Sequence, residues 1–379
     1  MARERVLIVG VSTRALAESA WRSGFECSSA DAFGDLDQRQ WSTSLGLRRD
    51  LGVRYSATGA VSAALRFPAE CVAYTGNLEN HPSAVARLAE GRELLGNTPA
   101  TLSRVRDPAA LAGVVGRAGC RFPRTLAPGE RVPAGGAWLR KPRRGGGGQG
   151  VRPIPGGAVV SARVLAQEVI EGSLGSVSFL ADGRHALLLG VAHGLAGEPA
   201  FGARGFRYCG SLFPFSIGPL AAARLDAVAQ AATLAFGLRG LNGVDFILQG
   251  DEPVVLEVNP RHSASMELIE RAGASDFFAL HAEACRGRLP SRAPRLAPAC
   301  FGKAVVWARR DLELGDTRDW LARDDVRDVP FPGERIRRGE PICTVLAKAP
   351  DLQQCRARLV DAARSVVGQT APSLQRTPA

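Results

Sequence analysis

The chain has 379 residues, of which 45% are hydrophobic, so it is long enough for two or three domains with sizeable cores. Its formal net charge of +11 is typical of proteins that bind nucleic acid, but the basic residues are spread along the sequence and form neither a cluster nor a tail. We therefore predict no nucleic-acid partner. No apolar run reaches the roughly 20 residues that cross a bilayer, and no signal-peptide pattern opens the chain, which predicts a cytoplasmic protein without a membrane contact.

The cysteines lie apart from one another along the sequence. There are eight of them, without a CxxC pair and without a histidine at zinc-site spacing. In a chain of this length, such thiols indicate reduced and mostly buried side chains. The pattern predicts neither a disulfide framework nor a structural metal site.

The first third of the chain predicts a parallel sheet followed by helices. Residues 4–9 read as a buried strand, 13–23 as a helix and 25–32 as a second strand, and together they form a strand–helix–strand unit. Residues 70–76 predict another buried strand, and residues 80–119 are helical in pattern, with prolines in the first turns. No GxGxxG follows the first strand, so this unit alone does not indicate a dinucleotide site.

The rest of the chain predicts strands with a few long helices. Further strands are expected at 137–141, 151–154, 166–170, 176–180, 185–192, 303–308 and 341–346, and a hairpin at 243–258. Helices are expected at 220–236, 265–272 with pieces on to 285, and 351–367. Between them, residues 287–298 are rich in proline and arginine and read as a linker.

A glycine-rich stretch, KPRRGGGGQG, lies between two predicted strands at 141–150. Its lysine precedes the glycines, whereas a Walker loop places lysine after them and before a helix. The glycines lack Cβ atoms, so their backbone N–H groups can approach phosphate oxygens closely, and Lys141 would add charge to the same phosphates. Taken alone, the stretch is equally typical of a surface loop with basic flanks. The glycines concerned are Gly145, Gly146, Gly147 and Gly148.

An acidic hairpin is predicted at residues 243–261, GVDFILQGDEPVVLEVNPR. With its turn centred at Asp251, Asp245 lies opposite Glu257, and Asn259 shares the face of Glu257. Two facing carboxylates are unfavourable by themselves, whereas a divalent cation makes the arrangement favourable. Asp, Glu and Asn supply the oxygen ligands that Mg²⁺ takes, with nucleotide phosphates completing the shell. The alternative is an ordinary exposed acidic face.

Taken together, these motifs resemble the ATP-grasp ligases over roughly residues 1–290. The segments that carry the resemblance are KPRRGGGGQG, QEVIEGS at 167–173, and GVDFIL followed by LEVNPRHSAS at 243–265. The resemblance implies an α/β protein with the ATP-grasp fold, in which a Rossmann-like domain precedes a two-lobed clamp for ATP. It also implies a reaction in which a carboxylate becomes an acyl phosphate and an amine then attacks, giving an amide and ADP.

The resemblance assigns cofactors and a first set of residues. The cofactors are ATP and Mg²⁺, with Mn²⁺ as a substitute. Lys141 and the glycine loop are expected to bind the phosphates, and Asp245, Glu257 and Asn259 to hold the metal. Arg261, just past the hairpin, matches the family's phosphate-contacting arginine, so Arg261 and Lys141 are the expected catalytic residues.

The hinge and two further contacts follow from the same resemblance. Residues 167–171 are similar to the hinge between the lobes, where Glu168 and the Ile170 backbone would contact adenine. Many members carry a ribose-binding carboxylate a few residues later, a place for which Glu171 is the stand-in here. The basic residue near the α-phosphate would be Arg104 or Arg106, since this region contains no lysine.

The substrates are indicated by three further segments. YTGNLENHP at 74–82, GRELLGNTP at 91–99 and VPFPGERIRRGEPICTV at 329–345 resemble the group that includes the tyramine–glutamate ligase of methanofuran biosynthesis. That resemblance implies glutamate as the carboxylate and tyramine or tyrosine as the amine, in the biosynthesis of a one-carbon carrier. The third segment also resembles the small β-rich closing domain of ATP-grasp carboxylases.

Two other functions stay open at the sequence level. One is an ATP-grasp carboxylase that activates bicarbonate, as in purine biosynthesis. The other is a catalytically silent ATP-binding module, an alternative that is suggested by the missing ribose-binding carboxylate. The expected partners are small-molecule substrates and, since dimers are common among the relatives, a second copy of the chain.

Several other polar residues are candidates for the acceptor side of the site. Asn77, Glu79 and Asn80 follow a predicted strand end, where ligands bind in α/β sheets, although they would equally cap a helix. His262 follows the hairpin and is a candidate base or a merely solvated side chain. His193 and the segment 204–207 lie in a loop that would face the acceptor or simply be flexible.

The domain organisation follows from these elements. The expected units are a Rossmann-like domain at 1–98, a two-lobed ATP-grasp domain at 99–288 with its hinge near 167–171, a linker at 289–298, a small β-rich C-terminal domain with a terminal helix at 299–370, and a frayed tail at 371–379.

Overall fold

The computed structural model describes residues 3–370, so the tail predicted at 371–379 lies outside the described residues. Within 3–370, none of the helices combines the length and the apolar character that a membrane crossing requires. The strands fall into three main sheets, one at the N-terminus and two that enclose the glycine loop and the acidic hairpin.

The N-terminal part contains a five-stranded parallel sheet. Its strands are β1 (Arg5–Val9), β2 (Glu26–Asp31), β3 (Thr43–Gly46), β4 (Cys71–Tyr74) and β5 (Glu93–Leu95), in the order β3-β2-β1-β4-β5. β1 and β4 are buried apolar runs, as is typical of parallel strands covered on both faces. This sheet confirms the parallel N-terminal sheet that the sequence predicts. The chain runs from β1 to β2 on one side and on to β4 on the other, which leaves a crevice beyond the carboxyl ends of β1 and β4.

Six α-helices lie in the described part of the first third of the chain. They are α1 (Arg14–Arg22), α2 (Leu47–Leu51), α3 (Ala57–Ala64), α4 (Pro82–Leu88), α5 (Pro99–Val105) and α6 (Pro108–Arg117). The last three begin with proline, as predicted, because proline has no N–H to leave unpaired in a first turn. The helical pattern predicted over 80–119 is interrupted by β5, whose three residues between glycines are too short to show a strand period.

The glycine loop belongs to a small antiparallel sheet of four strands. These are β6 (Thr125–Leu126), β7 (Trp138–Pro142), β8 (Arg152–Pro153) and β9 (Val164–Glu168), in the order β6-β9-β7-β8. The lobe has an apolar core of its own, which includes Leu126, Trp138 and Ala166. The loop between β7 and β8 is the glycine-rich stretch, so it projects from the end of this lobe.

The third sheet has eight strands and contains the acidic hairpin. Its members are β10 (Ser173–Asp182), β11 (Ala186–Ala196), β12 (Tyr208–Phe213), β13 (Arg239–Gln249), β14 (Glu252–Asn259), β15 (Cys300–Trp307), β17 (Val326–Arg327) and β19 (Pro341–Ala349), in the order β14-β13-β10-β11-β12-β15-β19-β17. A separate pair joins β16 (Leu312–Glu313) to β18 (Arg335–Ile336). The helices of this part are α7 (Pro219–Phe236), α8 (Met266–Gly273), α9 (Phe277–Cys285) and α10 (Leu352–Gln369).

The C-terminal strands continue the clamp's sheet. β15 pairs antiparallel with β12, with Ser211 opposite Lys303, so one sheet runs from the acidic hairpin through the clamp into the C-terminal segment. Residues 289–298 contain neither helix nor strand, as the linker composition predicts. That composition marks an irregular stretch of chain, but it carries no information about the strands that pair across it.

Candidate functional site

The acidic hairpin has the predicted pairing. Asp245 lies opposite Glu257, and Gly243 lies opposite Asn259. The turn is centred half a residue earlier than predicted, because Gln249 pairs with Glu252. A shift in the strand pairing between Asp245 and Phe246 compensates for this difference, so Asp245 and Glu257 are paired as predicted. The two carboxylates therefore face each other on one side of the sheet.

The two carboxylates differ in their electrostatic surroundings. Burial, followed by the charge of Glu257, raises the pKa of Asp245 to about 6, although Ser176 and Asn259 donate hydrogen bonds to it. Burial would raise the pKa of Glu257 as well, but Arg106, Lys141 and Arg261 lower it below its ordinary value. Arg106 donates to Glu257 Oε2 at 3.3 Å. The charge of Glu257 thus repels that of Asp245, and a bound cation would relieve this repulsion.

The donor set fits a hard divalent cation. Asp245 and Glu257 supply carboxylate oxygens, and Asn259 adds an amide oxygen that accepts a hydrogen bond from Arg261 at 3.0 Å. These are the ligand types of Mg²⁺, which keeps open positions for water and phosphate oxygens. Asp245, Glu257 and Asn259 are therefore the residues that would hold the metal of a metal–nucleotide complex.

Lys141 lies on β7 and is oriented by a polar relay. Its Nζ donates to Gln167 Oε1 at 2.7 Å, and Gln167 in turn donates to Thr125 Oγ1 at 3.1 Å. Burial lowers the pKa of Lys141, while the nearby charges of Glu257 and Asp245 act in the opposite direction. The lysine thus lies close enough to the hairpin for the two carboxylates to stabilise its charge.

The glycine loop is folded against neighbouring segments and is not extended into solvent. Tyr208 donates its N–H to the Gly147 carbonyl at 3.0 Å, and Asn80 Nδ2 donates to the Gly145 carbonyl at 3.4 Å. Gly148 has φ +70°, and a Cβ on it would lie 1.8 Å from the Phe206 carbonyl oxygen. Only glycine satisfies both the backbone conformation and the close approach at this position.

The predicted hinge is the connection between the two sheets of the clamp. β9 ends at Glu168 and β10 begins at Ser173, so residues 169–172 join the small lobe to the large one. The Glu168 carboxylate accepts the N–H of Arg124 at 2.9 Å. Ile170 is half-buried and Glu171 is exposed, so the Ile170 backbone and the Glu171 carboxylate are the groups that this connection presents.

Arg261 connects the hairpin to the N-terminal domain. Its guanidinium donates to Asn259 Oδ1, and its Nε lies 2.9 Å from Glu79 Oε1. Glu79 follows β4 at the carboxyl edge of the parallel sheet. A Cβ on Gly76 would lie 3.5 Å from the guanidinium, so the backbone after β4 approaches it closely.

The structure places the other residues proposed from the sequence in different surroundings. Arg106 contacts Glu257, whereas Arg104 donates to the Ala235 carbonyl on α7, away from the hairpin. His262 is buried, and burial lowers its pKa to about 3, so it stays uncharged at neutral pH and does not have the ordinary solvated environment that was one alternative. His193 packs on a phenylalanine ring with 5.0 Å between the ring centroids.

Some residues of the site were not singled out from the sequence. Ser176 lies opposite Asp245 on β10, and the half-buried Tyr208 contacts the glycine loop. Glu79 and Arg261 are each candidates from the sequence, but the contact between them, across 182 positions from 79 to 261, is not predicted. The only available signal was the position of Glu79 after a strand end, because a contact between distant segments leaves no local pattern.

The comparisons with known proteins agree with this geometry. Residues 107–265 match the family model of the ATP-grasp domain. The fold is the ATP-grasp fold. Both lobes of the clamp lie in the matched segment, as do Lys141, the glycine loop, Asp245, Glu257 and Arg261.

Curated relatives match only part of this chain. The formate-dependent phosphoribosylglycinamide formyltransferase of Pseudomonas fluorescens is 40% identical over 156 residues, which are 41% of this chain and 39% of that protein. An uncharacterised protein of Methanocaldococcus jannaschii is 26% identical over 115 residues, 30% of this chain and 27% of that protein. The chain thus spans less than half the length of these relatives.

Solved structures share the ATP-grasp fold over almost the whole chain. The biotin carboxylase of Campylobacter jejuni gives a TM-score of 0.69 at 15% identity, covering 93% of this chain and 89% of that one. The L-amino acid ligase of Bacillus licheniformis gives 0.65 at 15% identity, covering 96% and 98%. The N5-carboxyaminoimidazole ribonucleotide synthetase of Thermotoga maritima gives 0.64 at 15%, covering 95% and 98%. At this identity the likeness shows the fold alone.

Proposed function

We propose that the protein is an ATP-dependent carboxylate–amine ligase that forms an amide through an acyl phosphate. The main support is the set of Asp245, Glu257 and Asn259, flanked by Lys141 and Arg261. Facing carboxylates repel each other, a bound cation relieves that repulsion, and nucleotide phosphates complete the shell of such a cation. The match to the ATP-grasp domain supports the same reading.

In the proposed reaction, a carboxylate oxygen of the donor attacks the γ-phosphorus of ATP, and ADP leaves with the electrons of the broken P–O bond. The amine nitrogen then attacks the acyl carbon, forms the C–N bond, loses a proton and expels phosphate. Lys141 and the glycine loop hold the phosphates, and Arg261 stabilises charge on the transferring group. Mg²⁺, when bound, neutralises charge on the β- and γ-phosphates.

The nucleotide would lie between the two lobes in this proposal. The Ile170 backbone and Glu168 in the connection between the sheets would contact adenine, and Glu171 would lie near the ribose. Arg106 is the better of the two candidates for the α-phosphate, since it already contacts the hairpin and Arg104 does not. The glycine loop would cover the phosphates with its backbone N–H groups.

For the substrates, we propose glutamate as the carboxylate and tyramine or tyrosine as the amine, in the biosynthesis of a one-carbon carrier. Three segments support this pair by their resemblance to the tyramine–glutamate ligase group, at 74–82, 91–99 and 329–345. The likeness to an L-amino acid ligase over 96% of the chain is compatible with an amino-acid substrate.

A second candidate is a carboxylase that activates bicarbonate. The observation that favours it is the likeness to a biotin carboxylase and to an N5-carboxyaminoimidazole ribonucleotide synthetase over 93% and 95% of the chain. In that case bicarbonate replaces the organic carboxylate, and an aminoimidazole ribotide would accept the carboxyl group.

The test is ADP release by the purified protein with Mg-ATP. Glutamate is supplied with tyramine, tyrosine or hydroxylamine, and bicarbonate is supplied separately with an aminoimidazole ribotide. A ligase releases ADP with each competent amine, and mass spectrometry finds the new amide, or the hydroxamate where hydroxylamine traps the acyl phosphate. Turnover that needs bicarbonate selects the carboxylase. ATP binding without turnover in every mixture contradicts both and leaves a silent ATP-binding module.

We also propose that the protein works as a homodimer. The biotin carboxylase domain of Hydrogenobacter thermophilus 2-oxoglutarate carboxylase, which shares the fold at a TM-score of 0.68, is described as a dimer. Light scattering on the purified protein tests this assignment, and the mass of a single chain would contradict it.

A further inference from the structure

A short segment of the large lobe, at residues 206–208, contacts the glycine loop through its backbone. The Tyr208 N–H donates to the Gly147 carbonyl at 3.0 Å, and a Cβ on Gly148 would lie 1.8 Å from the Phe206 carbonyl oxygen. Because both contacts use backbone atoms, they depend on where segment 206–208 lies. The position of this segment therefore determines where the glycine loop rests on the large lobe.

The side chain of Arg207, in the middle of this segment, contacts the C-terminal part of the chain. Its Nη1 donates to the Gly339 carbonyl at 2.8 Å, and its guanidinium carbon lies 4.6 Å from the centre of the Trp307 ring. An indole face attracts a cation that lies over it, so two different interactions hold the arginine. A Cβ on Gly339 would lie 3.4 Å from the same nitrogen, so the turn at 337–340 approaches the arginine closely.

The turn that receives Arg207 is itself fixed in place. The Gly339 N–H donates to the carbonyl of Ala308, just after β15, at 2.7 Å. The carboxylate of Glu340 accepts a hydrogen bond at 2.7 Å from Arg48 on α2 of the N-terminal domain. The arginine therefore connects the glycine loop, by way of segment 206–208, to a turn that both the C-terminal strands and the N-terminal domain hold.

We propose that Arg207 is a positioning residue, which holds the glycine loop over the phosphates of ATP through the backbone of segment 206–208. Backbone N–H groups bind phosphate oxygens only where the loop brings them within hydrogen-bond distance. Without the arginine, segment 206–208 loses its side-chain contacts with the turn at 337–340, and the glycine loop loses its fixed place on the large lobe. The inference rests on the proposed function, to which it adds a residue that acts on the nucleotide through the loop.

The competing explanation is that Arg207 only stabilises its own loop, at 197–207. Arg309 is the matched control, because it also joins this loop to the C-terminal part of the chain. Its Nη2 donates to the Pro199 carbonyl at 2.6 Å, at the opposite end of the loop from segment 206–208. Arg309→Met thus removes an arginine–carbonyl hydrogen bond of the same kind without changing the segment that contacts the glycine loop.

The experiment is calorimetric titration of the full chain with Mg²⁺ and AMP-PNP, an ATP analogue that resists hydrolysis, so it requires no knowledge of the other substrates. We expect Arg207→Met to raise the Kd by about tenfold, since a charge-assisted hydrogen bond and a cation–π contact are both lost. Arg207→Lys should raise it less, because lysine keeps a cation beside Trp307. Arg309→Met should keep the Kd of the wild type within a factor of about two.

A double-variant cycle tests whether Arg207 acts through the loop. Gly148→Ala displaces the loop from the Phe206 carbonyl, so adding Arg207→Met to it should change the Kd by no more than about twofold. Independent effects would multiply instead, to about 100-fold for two tenfold changes. Circular dichroism of each variant, compared with the wild type, shows whether it is folded.

Four outcomes overturn the inference. They are an unchanged Kd in a folded Arg207→Met variant, an equal rise in Arg309→Met, effects that multiply in the double variant, and, if Arg207→Met does not fold, an unchanged Kd in Trp307→Leu, which removes the ring beside the guanidinium. In each of these cases the proposed function stands. A wild-type protein that does not bind Mg–AMP-PNP overturns the proposed function and this inference together.

Discussion

At the scale of single residues, Glu257 has a role that a one-atom change can test. Glu257→Gln keeps the size of the side chain and removes the charge that would hold the metal. We expect ADP release to fall by about 100-fold or more, since even groups behind metal ligands cost about 10–100-fold when changed. The change removes the repulsion toward Asp245 but also the attraction to Arg106 and Lys141, so the thermal midpoint is measured beside the activity to show that the variant is folded. Steady-state ADP release at several Mg²⁺ concentrations measures the effect.

The matched control for this prediction is Glu252→Gln on the same strand. Glu252 is exposed at the turn, where its carboxylate lies 3.5 Å from Arg224. The activity of Glu252→Gln should equal that of the wild type. Equal activity of a folded Glu257→Gln variant would remove the metal assignment.

The sequence predicts this residue pair because strands alternate their side chains with a fixed period. Asp245, Glu257 and Asn259 lie in one stretch of fifteen residues around the QGDEP turn, from 245 to 259, so their relative placement depends on local geometry alone. The Glu79–Arg261 contact depends on how two domains pack, which no period encodes. The roles of all these residues stay predictions until they are measured.

At the scale of elements, the glycine loop depends on Gly148 more than on its neighbours. Gly148→Ala would place a Cβ against the Phe206 carbonyl in a conformation with φ +70°, so the loop cannot keep its position between β7 and β8. We expect the KM for ATP to rise by about tenfold, because about 1.4 kcal/mol of phosphate binding is enough for that change. Initial rates at varied ATP concentration measure it.

Gly146→Ala in the same loop is the matched control. A Cβ at Gly146 meets nothing within 4 Å, and its φ is outside the left-handed region. That variant should keep the KM of the wild type within a factor of about two, since its backbone remains free to adopt the same conformation. A similar rise in KM for both variants would mean that loop composition matters and the contact with Phe206 does not.

The glycine loop and β12 show which features of the fold the sequence does not predict. The four-glycine run indicates that another group approaches this backbone closely, but it does not indicate which one. The contacting segment is 206–208, about sixty residues later in the chain, in β12 and the loop before it. β12 itself, YCGSLF, was not predicted because a glycine and a serine interrupt its apolar pattern. The pairing of β12 with β11 on one side and β15 on the other stabilises it as a strand, although its own sequence does not favour one.

At the scale of the whole molecule, Arg14 joins three parts of the chain. The guanidinium is 1% exposed and contacts Glu18 on its own helix, Glu267 on α8 and Asp328 before the C-terminal strand β19. We expect Arg14→Met to lower the free energy of unfolding by about 3–5 kcal/mol, because it leaves buried carboxylates without their cation. Urea unfolding followed by circular dichroism measures the loss.

The control for Arg14 is Arg318→Met, which breaks an ion pair with Asp316 at the surface. Water solvates both groups there, so the unfolding free energy should stay that of the wild type. A small effect of Arg14→Met would mean that Lys303 and Arg271, which also contact Glu267, are sufficient for the cluster.

The contact between the parallel sheet and the clamp depends on a neutral imidazole. His281 accepts the N–H of Leu241 at 2.8 Å, its Nε2 lies 3.1 Å from the Leu95 carbonyl, and burial lowers its pKa to about 4. As pH falls, His281 binds a proton in the unfolded chain before it does so in the folded chain. The stabilisation of the folded state by the neutral ring is therefore present above the ordinary histidine pKa and is lost as pH falls toward 4. Acid should therefore loosen this domain contact.

His281→Gln tests this linkage because glutamine does not titrate. From about pH 7.5 to about pH 5, the difference in unfolding free energy between the wild type and the variant should shift by about 2 kcal/mol against the wild type. A constant difference for His281→Gln would contradict the neutral, buried assignment.

The continuity of the eight-stranded sheet also bears on how the chain can be divided. β12 pairs on one side with β11 and on the other with β15, which follows the proline-rich segment 289–298. A fragment that stops in this segment would expose a row of unpaired backbone N–H and C=O groups along β12, and such an edge recruits strands from other chains. Excising the ATP-binding half at its apparent boundary would therefore produce a self-associating fragment, and a shorter functional unit must keep β15 and β19.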